Sequence, residues 1–115
     1  MRFYLAKTLD NMKKYGPTID LTMETADRVE EHVLEFDENE WIVDNMVDRI
    51  NAACDTSLDD GDYDFFDTSQ CEKLLVLFDE IDWDSIPEKY QKILKVLQDY
   101  SKRAVVYKTG IAIDL

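Results

Sequence analysis

Glycine, proline, cysteine and histidine are all scarce in this chain, at three, two, two and one residues of 115. Gly16, Gly61 and Gly110 are scattered, so no phosphate-cradling loop and no GxSxG elbow can be assembled. With His32 alone there is no HExxH helix. The pattern Glu30-Glu31-His32 reads as a surface helix rather than a catalytic base. Cys54 and Cys71 stand 17 positions apart, form no CxxC pair and lack a cationic setting, so both are expected to be reduced, partly buried thiols.

Long apolar runs are also missing. Nothing approaches the ~18 residues of a membrane span. Met1 to Gly16 carries Arg2, Lys7, Lys13 and Lys14 but neither the apolar stretch nor the cleavage site of a secretory signal, which points to the cytoplasm. Without a linker, a repeat or a low-complexity tract, residues 1–115 are expected to form a single domain. Positive charge is the last shortage: 13 lysines and arginines stand against 26 acids, for a net charge of −13 and a pI near 4.3. That balance repels nucleic acid and anionic membranes and attracts basic surfaces.

What is present is enough for a core, with apolar residues at 45% and aromatics at 11% of the chain. Leu5, Leu9 and Met12 lie at helical spacing before a Gly16-Pro17 stop, predicting a helix over 3–15; a short strand at 3–6 is the alternative. Ala26, Val29, Val33 and Phe36 predict a second helix over 23–36. Asp37 and Glu40 read as a capping pair opening a third, to about Ala53, with Ile42, Met46 and Ile50 inward. Residues 55–67 read as an irregular acidic stretch. Ser69 with Glu72 and Ser85 with Glu88 read as capping boxes for a fourth and a fifth helix, Pro87 sitting in the first turn of the fifth. Val105–Tyr107 and Ile111–Ile113 around Gly110 predict a terminal β-hairpin. The expected fold is α+β but mainly α, with about five helices around one core and a C-terminal β-hairpin.

The charge is segregated. Asp20 to Asp67 holds 17 acids and only Arg28 and Arg49 as bases. Solubility alone does not require so dense a run, and like charges one helical turn apart are destabilising. The segment from Asp59 to Asp67 alternates carboxylates with aromatics, a composition suited to anchoring on a basic protein. The expected contact surface comprises Glu35, Asp37, Glu38, Glu40, Asp55, Asp59, Asp60, Asp62, Tyr63, Asp64 and Asp67, with at least one of Phe65 and Phe66 turned inward and Tyr63 the better candidate for a solvent-facing contact. Neither register of the loop places oxygen ligands where an EF-hand needs them, so no metal or cofactor is expected. Pairs of carboxylates are too numerous to mark a hydrolase, and no enzyme activity is expected.

In size, single-domain organisation, acidity and aromatic-acidic loop, the chain resembles the small acidic immunity proteins that bacteria make against polymorphic or contact-dependent toxins. That resemblance implies a cytoplasmic inhibitor that occludes a basic partner, a cognate toxin domain. Many such toxins are nucleases, which must present cations where substrate phosphates sit. Two other readings share the charge: a nucleic-acid mimic that inhibits a restriction or CRISPR effector, and a carboxylate-rich calcium-binding module.

Overall fold

A computed structural model describes residues 1–115. Strand β1 (Arg2–Ala6) is followed by a small hairpin of β2 (Lys13–Tyr15) and β3 (Thr18–Asp20), then by β4 (Val29–Val33). Helices α1 (Phe36–Asn45) and α2 (Val47–Cys54) lead through a loop to β5 (Tyr63–Asp67). Helix α3 (Thr68–Glu80), a short 3-10 turn (Trp83–Ser85), α4 (Glu88–Tyr107) and β6 (Gly110–Asp114) complete the order. Four strands form one antiparallel sheet in the order β4-β1-β6-β5.

The expected five helices and terminal hairpin are therefore replaced by four α-helices, a four-stranded sheet and a separate two-stranded hairpin. Each departure has a local cause. Phe3-Tyr4-Leu5-Ala6 is apolar at every position because β1 is buried on both faces. Phe3 and Leu5 join the core under the helices, whereas Tyr4 and Ala6 face the β2–β3 hairpin. Val29 and Val33 were legible as one helical stripe, but a spacing of four residues also keeps one face of a strand. Their β-branching favours the strand that forms.

At the far end, Val105–Tyr107 is the last turn of α4, which stops at Lys108 in the left-handed conformation (φ 57°). Gly110 is the first residue of β6 rather than a turn. A Cβ there would overlap the Phe66 carbonyl oxygen and stand 2.5 Å from Cζ of the Phe65 ring.

Helix starts also shift. α1 opens on Glu35, whose capping partner is Glu38, rather than on Asp37 and Glu40. α3 opens on Asp67, which accepts from the Gln70 N–H while the Gln70 side chain returns to the Asp67 N–H at 2.9 Å. α4 starts from Pro87, with no Ser85–Glu88 box. The third expected helix is divided at Met46 (φ −120°) into α1 and α2.

The larger core lies between the sheet and the helices, around Phe3, Leu5, Phe66, Phe78, Leu94 and Ile111. The smaller one fills the other face, where Met12, Ile19 and Leu21 cover Tyr4, Ala6 and Ala112. Cys54 and Cys71 are buried and unbridged in the larger core. Burial pushes their thiols up to about 11 and about 12, far from the range of a reactive thiolate.

Candidate functional site

The acidic segment divides into two parts once the chain is folded. Five of the seven acids in its first part, Asp20 to Asp37, are ion-paired internally. Glu24 pairs with Arg28, Glu30 with Arg103, Glu31 with Arg2, and both Glu35 and Asp37 with Lys89. The Lys89–Asp37 contact is 2.5 Å, and the hydrogen bond from the ammonium holds Asp37 below the usual carboxylate range. The second part runs from Glu38 to Asp67. It holds ten carboxylates and a single base, Arg49, and none of the ten takes part in an ion pair.

This division sorts the expected contact residues. Glu35 and Asp37 belong to the Lys89 pair, and Glu38 and Asp67 are occupied in helix caps. Tyr63 does not face solvent. Its hydroxyl donates to the Ile19 carbonyl at 2.6 Å and accepts from the Leu21 N–H at 2.9 Å, pinning β3 to β5. Burial, outweighing that backbone N–H, pushes the Tyr63 phenol pKa well above its ordinary value. Phe66 is fully buried toward the helices and Phe65 packs on the opposite face, so the aromatics of this segment fasten it down. Glu40, Asp55, Asp59, Asp60 and Asp62 remain exposed. Asp44 and Asp48, passed over in the sequence, are exposed beside them on α1 and α2.

Two cavities gather these acids. One, of about 240 Å³, lies at the outer edge of β5 and is lined by Asp55, Asp64 and Asp67 with Thr18, Thr56, Ser57 and Gln70. Asp64 is half-buried there, and desolvation first, then the neighbouring Asp62, raises its pKa. The other, of about 210 Å³, lies between α1 and the following loop, with Glu40, Asp44 and Asp60 around Phe36, Asn39 and Val43. No three His, Cys, Asp or Glu side chains come together closely enough to hold a metal ion.

The loop between α2 and β5 is not loose. Leu58 is buried as its anchor, and Asp55 enters the loop in the left-handed conformation (φ 55°), which Asp tolerates. Asn51 on α2 binds the loop backbone: Nδ2 donates to the Leu58 carbonyl at 2.8 Å, and Oδ1 accepts from the Leu58 N–H at 2.8 Å and the Thr56 hydroxyl at 2.7 Å. The exposed carboxylates of residues 55–62 are thus carried on a braced backbone. Exposed apolar side chains lie close by, with Phe36 66% and Val33 61% exposed at the junction of β4 and α1. No helix is long and apolar enough to cross a membrane. Comparison of the chain with protein-family models, with curated proteins and with solved structures finds no match.

Proposed function

We propose that this protein is a stoichiometric inhibitor of the immunity type, which docks on a basic site of another protein, a toxin domain, and occludes it in the cytoplasm. The observation that carries this reading is the run of ten carboxylates from Glu38 to Asp67 with no internal ion pair, next to a region where the same chain pairs five of its acids with four cations. Unneutralised negative charge is costly to the folded state and effective in steering a cationic partner. The braced loop supports the same reading, because a rigid surface loses less entropy on binding. No catalytic role is assigned to any residue.

A nuclease is the favoured toxin, since its substrate phosphates demand a cationic site that this surface would fill. Mimicry of a nucleic acid would call for carboxylates spread like phosphates along an extended face. The gathering of Glu40, Asp44 and Asp60 around partly apolar residues supports a protein partner instead.

The test compares the wild-type chain with a variant carrying Asp44→Asn, Asp48→Asn, Asp59→Asn and Asp60→Asn. The expected result is a toxic partner retained by the wild type at low salt, released at high salt and lost by the variant, whose toxicity co-expression of the wild type alone relieves. Failure of the wild type to retain or neutralise any toxic partner overturns the reading, and neutralisation that persists with the four substitutions in place overturns its assignment to this surface.

A further inference from the structure

The cleft between α1 and the loop combines three carboxylates with an unmet hydrogen-bonding group. Asn39 is only 4% exposed and lines the cleft, and its Oδ1 is the one buried side-chain polar atom in the protein without a hydrogen-bond partner. Buried carbonyl oxygens are rarely left so, and an exception calls for a missing donor. Glu40 and Asp44 are one turn apart on the same face of α1, where like charges repel, and the cleft is lined by no lysine or arginine, only by Met1, whose ammonium lies 4.0 Å from Asp114. Phe36, one turn before Glu40, exposes its ring at the rim, and Val43 contributes an apolar wall. The volume of about 210 Å³ lies below the ~300 Å³ at which small-molecule pockets begin, so the cleft suits one inserted side chain.

We infer that this cleft receives an arginine side chain projecting from the partner protein. The inference rests on the inhibitor reading above and names the group that the partner contributes. A guanidinium offers five N–H donors in a fixed plane, enough to serve Asn39 Oδ1 and the carboxylates together. Its flat face stacks on an aromatic ring such as Phe36, and its methylene stem covers an apolar wall such as Val43. A lysine ammonium, a compact point charge with three donors, meets only part of that set.

The test uses the full chain, labelled with ¹⁵N and titrated with N-acetyl-arginine-N′-methylamide. The citrulline analogue, similar in shape but uncharged, and the lysine analogue serve as comparisons. Saturable shifts of the Asn39 side-chain amide and the Asp60 backbone amide are expected with the arginine probe. Binding at least about tenfold weaker is expected for the citrulline probe, and for the arginine probe with Asn39→Leu or Asp60→Asn, a factor consistent with loss of a charge-assisted hydrogen bond. Absence of saturable shifts, equal binding of the lysine probe, or indifference to both substitutions overturns the inference.

The partner assay separates the two claims. If Asp48→Asn with Asp55→Asn, Asp59→Asn and Asp62→Asn abolishes neutralisation while Asn39→Leu and Asp60→Asn preserve it, the inhibitor reading stands and the arginine cleft falls. If the arginine probe binds as expected but the wild-type chain neutralises no toxic partner, the cleft stands as an arginine site and the inhibitor reading falls.

Discussion

Arg103 on α4 grips Glu30 on the edge strand β4 with two N–H groups, Nη1 to Oε2 at 2.8 Å and Nη2 to Oε1 at 3.1 Å. This fork ties the longest helix to the margin of the sheet and neutralises an acid that would otherwise extend the negative surface. The hydrogen bond from Arg103 holds Glu30 below the usual carboxylate range. With the folded pKa depressed, the stabilisation is fully present above the unfolded value of about 4.3 and is lost as pH falls through the folded value. Both side chains are over 30% exposed, so Glu30→Gln is expected to cost only about 0.5–1 kcal/mol at neutral pH. Urea titrations of both proteins between neutral and strongly acidic pH should show that difference vanish at the acid end. A gap that widens on acidification contradicts the assignment.

Removing the loop brace is expected to have a larger effect. Asn51→Ala deletes three hydrogen bonds and strands the backbone groups of Leu58, a loss of about 2–4 kcal/mol at roughly 1 kcal/mol for each bond plus desolvation. Amide exchange should quicken first in residues 55–62. A denaturation midpoint unchanged by the substitution would mean that the loop is held by Leu58 alone.

Salt should raise the melting temperature. Going from about 0.01 to about 1 M, the Debye length falls from ~30 to ~3 Å, which screens repulsion among the ten unpaired carboxylates of Glu38–Asp67. Asp44→Asn with Asp48→Asn should reduce the gain, whereas Glu31→Gln, which breaks a pair with Arg2, should enlarge it. Calorimetric scans at several salt concentrations separate these outcomes, and salt-independent melting of the wild type speaks against residual repulsion.

Gly110→Ala should destabilise the chain by about 1–3 kcal/mol through overpacking, because the added methyl meets the Phe66 carbonyl and the Phe65 ring. Phe65→Leu in the same chain should recover part of the loss. A neutral Gly110→Ala, measured by urea denaturation, would show that β5 and β6 can separate slightly without penalty.

Some of the fold was legible in the sequence. Of the residues the helical spacing turns inward, Cys71, Leu74 and Phe78 on α3 and Ile93, Leu94 and Leu97 on α4 are buried, while Leu75 and Tyr90 are only half-buried, because long helices repeat their apolar positions over enough turns to fix the face but not its margins. In the first third of the chain the strand alternative at 3–6 is what forms, and the helices over 3–15 and 23–36 fail for a physical reason. Val29 and Val33 fit both periods, and the hydrophobicity of Phe3–Ala6 reflects burial on two faces, which carries no period at all.

Of the candidate site, the segregation of charge was visible in the sequence. Which acids stay free was not, because Arg2, Lys89 and Arg103 reach theirs across 29 to 73 residues of chain or from another helix. Asn39 and Asn51 left no signal. A single amide in a helix looks alike whether it meets water, a loop or nothing, and only tertiary packing separates the cases.

The two inner strands of the sheet come from distant stretches of sequence, Arg2–Ala6 hydrogen-bonded to Gly110–Asp114. During synthesis the first of them leaves the ribosome early and stays without its central neighbour until residue 114 has emerged. Phe3, Tyr4 and Leu5 are then available to chaperones, proteases and other nascent chains throughout elongation. Such a topology favours late, concerted folding, and a premature stop before β6 would yield an aggregating product rather than a partly working one.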